Sequence, residues 1–304
     1  GARAELETLD SMGGAIAAID YMKGRLVDSN AARINRIEAE ETIVVGVNRW
    51  QQGEPSPLTA GDGGIMVVDP ATEQDQIGRL NAWRAERDEG AVQLALGALR
   101  DAAKAGENIM PASIAAAKVG ATTGEWAGIM RKVHGEYRGP TGVSRSPSNQ
   151  TEGLDEIREA VDAVSTQLGR RLKFLVGKPG LDGHSNGAEQ IAFRARDCGM
   201  DITYDGIRLT PEQIVAKAIE DQAHVVGLSI LSGSHIPLIE ELMERVRAAG
   251  LDHVPVVVGG IIPDEDAARL RGFGVARVYT PKDFELNRIM MDIVALATPS
   301  EAAA

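Results

Sequence analysis

Short apolar runs alternate with helical patterns over the second half of the chain, from about residue 154 to residue 297. Short runs rich in Val, Ile and Leu are typical of strands buried on both faces, and apolar residues three and four positions apart indicate amphipathic helices. Because strands that alternate with helices pair in parallel, the pattern predicts an α/β domain with a doubly wound, five-stranded parallel sheet. The predicted strands are Leu172–Val176, Asp201–Tyr204, His224–Ser229, Val254–Val258 and Ala276–Tyr279.

Unusual loops follow four of these strands, at the point where each strand ends. A flavodoxin-like (Rossmann-like) sheet brings the carboxyl ends of its strands to one edge, and open α/β sheets bind their ligands there. Glycines at that edge let a flat or extended ligand approach the backbone. The candidate binding residues are Lys178, Asp182, Gly183, His184 and Gly187 after the first strand, Ser229, Leu231 and Gly233 at the end of the third, Gly259 and Gly260 after the fourth, and Tyr279 and Thr280 after the fifth.

The loop after the first strand holds one imidazole, His184, two residues after the carboxylate of Asp182. An acid that holds one ring nitrogen of a histidine leaves the other nitrogen free to bind a metal. This pairing makes His184 the candidate metal ligand. The chain has one cysteine, Cys198, so the sequence offers neither a cysteine-based metal site nor a disulfide within the chain.

The spacing Asp182-x-His184-x-x-Gly187 resembles the cobalamin-binding signature of base-off/His-on B12 enzymes. The longer pattern, which begins at Lys178, is similar to that of the coenzyme B12-dependent acyl-CoA mutases, and the resemblance covers residues from about 170 to 297. It implies adenosylcobalamin as the cofactor and His184 as the ligand of its cobalt, in place of the displaced base. It also implies that Asp182 accepts the other ring N–H and that Lys178 polarises Asp182.

The same resemblance assigns roles to the other loops. Ser229-x-Leu231 matches the family's Ser-x-Leu motif, whose serine meets the dimethylbenzimidazole of the cofactor tail. Gly259–Gly260 matches the glycine pair that makes room for that tail. Tyr279–Thr280 matches positions that line the tail's pocket near its phosphate and ribose.

Residues 1–52 contain helical patterns over residues 4–23 and 29–41, followed by an apolar run, Thr42–Trp50, that predicts a buried parallel strand. One strand cannot form a sheet alone. The resemblance to the acyl-CoA mutases implies that these are the last elements of a truncated (β/α)8 barrel. In the family the earlier barrel strands carry the acyl-CoA site, and they are absent from this sequence, so no catalytic residue is assigned.

Residues 53–153 are predicted to form a mainly helical region, which the resemblance identifies as the linker between barrel and cobalamin-binding domain. Residues 139–153 are rich in Gly, Pro and small polar residues, which mark a domain boundary. Residues 154–304 are then the cobalamin-binding domain. The predicted linker helices cover residues 72–87, 89–105, 111–119 and 123–137.

The formal net charge of −12 at pH 7 argues against nucleic acid and anionic membranes as partners. The sequence has no apolar run long enough to span a bilayer. With one cysteine and no disulfide framework, we expect a cytoplasmic protein.

The resemblance implies that the chain is the C-terminal portion of an adenosylcobalamin-dependent radical mutase that rearranges the carbon skeleton of an acyl-CoA. We expect the chain to bind cobalamin without turnover, because the acyl-CoA would be held by the missing barrel. The complete enzyme is expected to be a homodimer with a G-protein chaperone as a partner. The choice of acyl-CoA within the family stays open.

Other classes of protein fit the sequence less well than a radical mutase. A free-standing cobalamin carrier or a B12-dependent regulator would share the loop chemistry, but residues 1–50 are similar to the end of a barrel. A phosphoacceptor receiver would need an Asp where the third strand ends in Ser229. A flavodoxin would need a phosphate-binding Ser/Thr-Gly loop where this chain has Lys178, Asp182 and His184.

Overall fold

Residues 1–50, 52, 70–137, 154–283 and 285–299 are described by the structure, a computed structural model. The chain divides into two units. One unit comprises residues 1–53 together with residues 138–304, and the other comprises residues 54–137. The predicted boundary at residues 139–153 lies outside the described residues.

The larger unit is built around a five-stranded sheet whose strands are all parallel, in the order β2-β1-β3-β4-β5. This confirms the predicted α/β class and the flavodoxin-like order. The predicted strand limits lie within two residues of the observed ones. The small differences arise because pairing with neighbouring strands decides where each strand ends. The strands are β1 (Lys173–Gly177), β2 (Asp201–Tyr204), β3 (Val225–Ile230), β4 (Val256–Gly260) and β5 (Arg277–Tyr279).

Helices cover both faces of this sheet. Side chains alternate between faces along a strand, so Phe174 and Val176 of β1 enter one core while Leu175 enters the other. The helices of this unit are α1 (Ala2–Ser11), α2 (Ile19–Glu38), α7 (Asp155–Gln167), α8 (Asn186–Asp197), α9 (Pro211–Glu220), α10 (His235–Ala248), α11 (Asp264–Gly272) and α12 (Leu286–Ala297). The first core packs α7, α8 and α12 against the sheet, and the second packs α9, α10 and α11.

The amino-terminal segment differs from its prediction in two ways. The helix predicted over residues 4–23 is wrong, since the chain leaves the helical path at Gly13 and Gly14, whose φ angles are +97° and +91°. These left-handed conformations suit glycine and interrupt a right-handed helix. Helix α2 therefore begins at Ile19 and continues to Glu38, so it includes most of the separate helix predicted over residues 29–41.

The strand predicted at Thr42–Trp50 is also wrong. The segment forms a turn in which the Asn48 side chain accepts from the backbone N–H of Val44 at 2.8 Å and donates to the carbonyl of Ile37 at 2.8 Å. Among the described residues no strand lies beside it, and its only strand-like contact is one bridge between Val45 and Arg49. An apolar run without a neighbouring strand has no partner for its backbone groups, and Val45 is exposed.

The described part of the smaller unit, residues 70–137, contains four helices: α3 (Pro70–Glu86), α4 (Glu89–Ala105), α5 (Met110–Lys118) and α6 (Thr123–His134). Its core consists of Val92, Leu96, Leu99 and Ala116. Thr122 caps α6 in a reciprocal arrangement with Glu125. Arg87 donates to both carboxylate oxygens of Glu125, at 2.8 and 2.5 Å. No helix in the described part of the chain is long and apolar enough to cross a membrane.

Replacing Glu125 with Gln is expected to destabilise the smaller unit by about 1–2 kcal/mol at pH 7, because a charge-assisted pair with Arg87 is lost. The hydrogen bonds from Arg87, opposed by burial, lower the pKa of Glu125 to about 2. A depressed carboxyl pKa stabilises the folded state above the unfolded value and loses that effect as the pH falls from about 5 towards 2. The difference between parent and variant should therefore shrink at pH 3. Thermal unfolding followed by tryptophan fluorescence measures the stability difference between parent and variant, since Trp83 and Trp126 lie in this unit. An equal difference at pH 7 and pH 3 would contradict the prediction.

Candidate functional site

The loop after β1 is organised around a buried ion pair. Lys178 is fully buried at 0% exposure, and its Nζ lies 2.7 Å from Oδ2 of Asp182. The same Nζ donates to the backbone carbonyl of Ser229, at the end of β3, at 3.2 Å. A buried ammonium needs such partners, so this pair ties the loop after β1 to the neighbouring strand.

Asp182 accepts two hydrogen bonds on each carboxylate oxygen. Besides Lys178, its Oδ2 accepts from the backbone N–H of Leu231 at 2.8 Å. Its Oδ1 accepts from the backbone N–H of His184 at 2.9 Å and lies 2.7 Å from Nδ1 of the same residue. Burial alone would raise the pKa of Asp182, but these hydrogen bonds outweigh it and hold the pKa well below its usual range. The carboxylate is therefore a permanent acceptor.

The contact with Asp182 decides the state of the His184 ring. Because an ionised carboxylate only accepts, Nδ1 of the neutral ring must carry the proton, and Nε2 keeps its lone pair. The side chain of His184 is 73% exposed, and among the described residues Nε2 makes no hydrogen bond. The sequence prediction that Asp182 orients His184 as a ligand thus has a matching geometry.

Beside His184 lies a cavity of about 480 Å³, within the range of about 300–1,000 Å³ common for small-molecule sites. It opens at the carboxyl ends of β1, β3, β4 and β5 and extends between the sheet and helices α8 and α12. Its inner wall is aliphatic, with Val176, Val257, Ile289 and Ile293 among the lining residues. An aliphatic cavity of this size suits a flat, largely apolar group.

The cavity exists because one face of the sheet carries small residues near its edge. Gly259 faces the same side as Val257, and a Cβ at Gly259 would have no atom nearer than 4.0 Å. Ser229 is its partner on β3. At Gly227, by contrast, the space is filled, since a Cβ there would lie 2.6 Å from the Phe174 ring. The hollow therefore begins beyond the Phe174 ring.

The structure brings most of the predicted site residues together. Four of them do not line the cavity: the side chains of Lys178 and Asp182 are buried within the loop after β1, whereas a Cβ at Gly183 or Gly233 would point into open space. The predicted residues that do line it are His184, Gly187, Ser229, Leu231, Gly259, Gly260, Tyr279 and Thr280.

Tyr279 and Thr280 lie where β5 ends. Burial, reinforced by Asp292, raises the pKa of Tyr279 above its ordinary value, and its hydroxyl donates to Asp292 at 3.3 Å. The backbone N–H of Thr280 donates to Asp283 at 2.8 Å. These bonds fix the chain at the cavity's lower rim.

Two groups of residues at the site were missed by the sequence reasoning. Leu181 and Ile261, at the same edge as His184, are 89% and 59% exposed, and large apolar side chains at loop tips are a signal that could have found them. The other group comes from α2 and the following turn. These residues are far in sequence from the rest of the lining, so no local sequence pattern marks them as part of the site. The members of this group are Arg33, Ile34, Ile37, Val44 and Val47.

The donor set limits what kind of metal the site could hold. Among the described residues there is no group of three or more His, Cys, Asp or Glu side chains placed to bind a metal ion. A single exposed imidazole does not make a protein metal site, since such sites use several ligands. His184 therefore suits a metal whose other ligands come from a carrier molecule, such as a macrocycle.

Two family models match the chain. Residues 1–136 match the methylmalonyl-CoA mutase family, and residues 172–283 match the B12 binding domain. The second match contains the loops after β1, β3, β4 and β5 that surround the cavity.

Curated relatives extend these matches over the whole chain. Ethylmalonyl-CoA mutase from Cereibacter sphaeroides is 72% identical over 304 residues, which are 100% of this chain and 46% of that protein. Ethylmalonyl-CoA mutase from Methylorubrum extorquens is 57% identical over 96% of this chain and 42% of its own length. Methylmalonyl-CoA mutase from Cereibacter sphaeroides is 34% identical over 91% of this chain and 39% of its own length. The chain thus spans less than half the length of each of these relatives.

Proposed function

We propose that this chain, which belongs to the methylmalonyl-CoA mutase family, holds cobalamin with His184 as the lower ligand of the cobalt. One observation carries the proposal: the bond to Asp182 leaves Nε2 of His184 free and exposed at the mouth of an apolar cavity. A histidine that replaces the cofactor's own base requires a separate place for that base. The cavity beside the ring meets this requirement.

Different cavity residues then contact different parts of the cofactor's nucleotide tail. Gly259 leaves the volume that a flat ring needs, and Ser229 places a hydroxyl beside it. Gly187 lies at the start of α8 beside the Ser229 hydroxyl, where a Cβ would make an ordinary contact at 3.6 Å. Tyr279 and Thr280 supply the polar rim, which suits the ribose and phosphate of the tail.

The loop tips contribute to the corrin side of the site. Leu181, Leu231 and Ile261 are exposed apolar residues at the edge that carries His184, and they offer a surface to the flat macrocycle. Gly183 and Gly233 add no side chain there and so leave clearance. Lys178 and Asp182 act indirectly, by holding the imidazole in one tautomer and one orientation.

The complete enzyme is proposed to convert ethylmalonyl-CoA to methylsuccinyl-CoA, with adenosylcobalamin as the bound cofactor. When bound, that cofactor supplies the radical that starts the rearrangement. The 72% identity to one ethylmalonyl-CoA mutase, against 34% to a methylmalonyl-CoA mutase of the same organism, favours this substrate over methylmalonyl-CoA. The match of residues 1–136 to the mutase family favours an enzyme over a free-standing carrier or regulator.

A polypeptide of this sequence alone is proposed to bind the cofactor without turnover, because it spans 46% of its 72%-identical relative. The acyl-CoA would bind to the part of the enzyme outside this sequence. The complete enzyme is proposed to be a cytoplasmic homodimer that is served by a G-protein chaperone.

Titration with adenosylcobalamin, followed by visible absorbance, tests this function. The parent chain should give the spectrum of cobalamin whose own base is displaced by histidine, and His184→Ala should lose it with at least about tenfold weaker binding. His253→Ala is the matched control, since His253 is exposed and precedes β4 at the opposite end of the sheet. Identical spectra for the parent and His184→Ala would remove His184 from the cobalt. Substantial isomer formation by this chain would contradict binding without turnover.

A further inference from the structure

Helix α2 and the turn after it contribute several apolar residues to the lining of the cavity. Ile34 and Ile37 from α2, with Val44 and Val47 from the turn, lie among its lining residues. Ile37 is buried although α2 is largely polar. This side of the cavity lies outside residues 172–283, the part of the chain that matches the B12 binding domain.

A buried cation holds the carboxyl end of α2 against the rest of the unit. The side chain of Arg194, on α8, is 5% exposed, and its Nη2 lies 3.3 Å from Oε2 of Glu38 and 2.8 Å from Oδ1 of Asn35. Arg194 also donates to Asn287. The other oxygen of Glu38 accepts from the backbone N–H of Leu286 at 2.8 Å, at the first turn of α12. If α2 moved away, the buried guanidinium of Arg194 would lose Asn35 and Glu38 and keep only Asn287, and the first turn of α12 would lose its acceptor Glu38.

A second ion pair holds the amino-terminal half of the same helix. Nζ of Lys23 lies 2.6 Å from Oε1 of Glu189, whose side chain is almost fully buried on α8. The turn that follows α2 is fixed by Asn48 through its bonds to Val44 and Ile37. Polar contacts therefore hold both α2 and the turn that follows it beside the cavity.

We infer that residues 33–47 form the outer wall of the nucleotide-tail site and raise affinity only for corrinoids that carry a tail. The inference rests on the proposed function and extends it to a part of the chain outside the cofactor-binding motif. Its chemistry is aliphatic packing, in which Ile34, Ile37, Val44 and Val47 cover the face of the base that points away from the sheet. The corrin ring, held at the loop tips, does not need this wall.

Two ligands separate the wall from the rest of the site. Cobalamin carries the nucleotide tail, whereas cobinamide has the same corrin ring without it. In the full chain, Ile34→Asp should weaken cobalamin binding by about tenfold or more, because it places a charge against a buried apolar ring, and should leave cobinamide binding unchanged. Leu26→Asp is the matched control, since Leu26 lies on the same helix but is 62% exposed and does not line the cavity.

Hydrogen exchange provides a second measurement that does not depend on how well a variant folds. In the parent chain, the amides of residues 33–47 should exchange more slowly with bound cobalamin than with bound cobinamide. Equal protection by the two ligands, or an equal loss of both ligands in Ile34→Asp, would overturn the wall while leaving the proposed function standing. A parent chain that binds neither corrinoid would overturn both.

Discussion

Replacing Asp182 with alanine is expected to lower the free energy of unfolding by about 3–5 kcal/mol, the cost of leaving a buried charge without its partner. Lys178 is completely buried, and without Asp182 its only described partner would be the carbonyl of Ser229. The backbone N–H groups of His184 and Leu231 would lose their acceptor as well. Chemical unfolding of the apo protein measures the effect, which is independent of any cofactor.

The double variant Lys178→Met with Asp182→Ala separates stability from binding. Removing both charges should recover a large part of the lost stability, since no unpaired ammonium remains. Cobalamin affinity should stay low, because nothing then fixes the proton on Nδ1 of His184. If the single variant Asp182→Ala were as stable as the parent, the ion pair between Lys178 and Asp182 would not be what stabilises this loop.

Gly260→Ala is expected to be the most damaging single-methyl addition at the site, with a loss of about 3 kcal/mol or more. A Cβ at this position would overlap the backbone carbonyl of Ile230, the residue with which Gly260 pairs between β3 and β4. Because the obstacle is backbone rather than the end of a flexible side chain, relief requires the two central strands to move apart. Expression yield and thermal unfolding would report the damage.

Gly259→Val is the matched variant one residue earlier. A Cβ at Gly259 meets no atom nearer than 4.0 Å, so the added side chain should fit the fold and occupy the cavity instead. This variant should keep nearly the parent stability but lose at least about tenfold in cobalamin affinity, with cobinamide affinity little changed. Comparable stability loss in both glycine variants would contradict the distinct roles assigned to the two positions.

The sheet and the orienting carboxylate could be predicted because their signals are local. Short apolar runs between helical patterns specified the strands, and the start of α9 carries a local signal of the same kind, a capping box between Thr210 and Gln213. The two-residue step from Asp182 to His184 likewise brings their side chains into contact whenever the loop is compact.

The errors arose where structure depends on distant parts of the chain. Thr42–Trp50 has the composition of a strand, but a strand needs a neighbour, and the segment instead turns around Asn48. The outer wall of the cavity was missed for the same reason, since Arg194 and Glu38 are far apart in sequence and carry no motif. The helical pattern over residues 4–23 continues through Gly13 and Gly14, but two successive glycines with positive φ angles interrupt a helix more strongly than one glycine does.

The cavity is assembled from residues at both extremes of the chain, from Arg33 to Ile293. During synthesis residues 33–47 therefore leave the ribosome before α12, and the cavity is complete only once Leu286–Ala297 has been made. Its strands also pair out of chain order, with β1 between β2 and β3, and such long-range pairing forms slowly. We therefore expect cobalamin to bind after the domain has folded rather than to guide the early folding of the nascent chain.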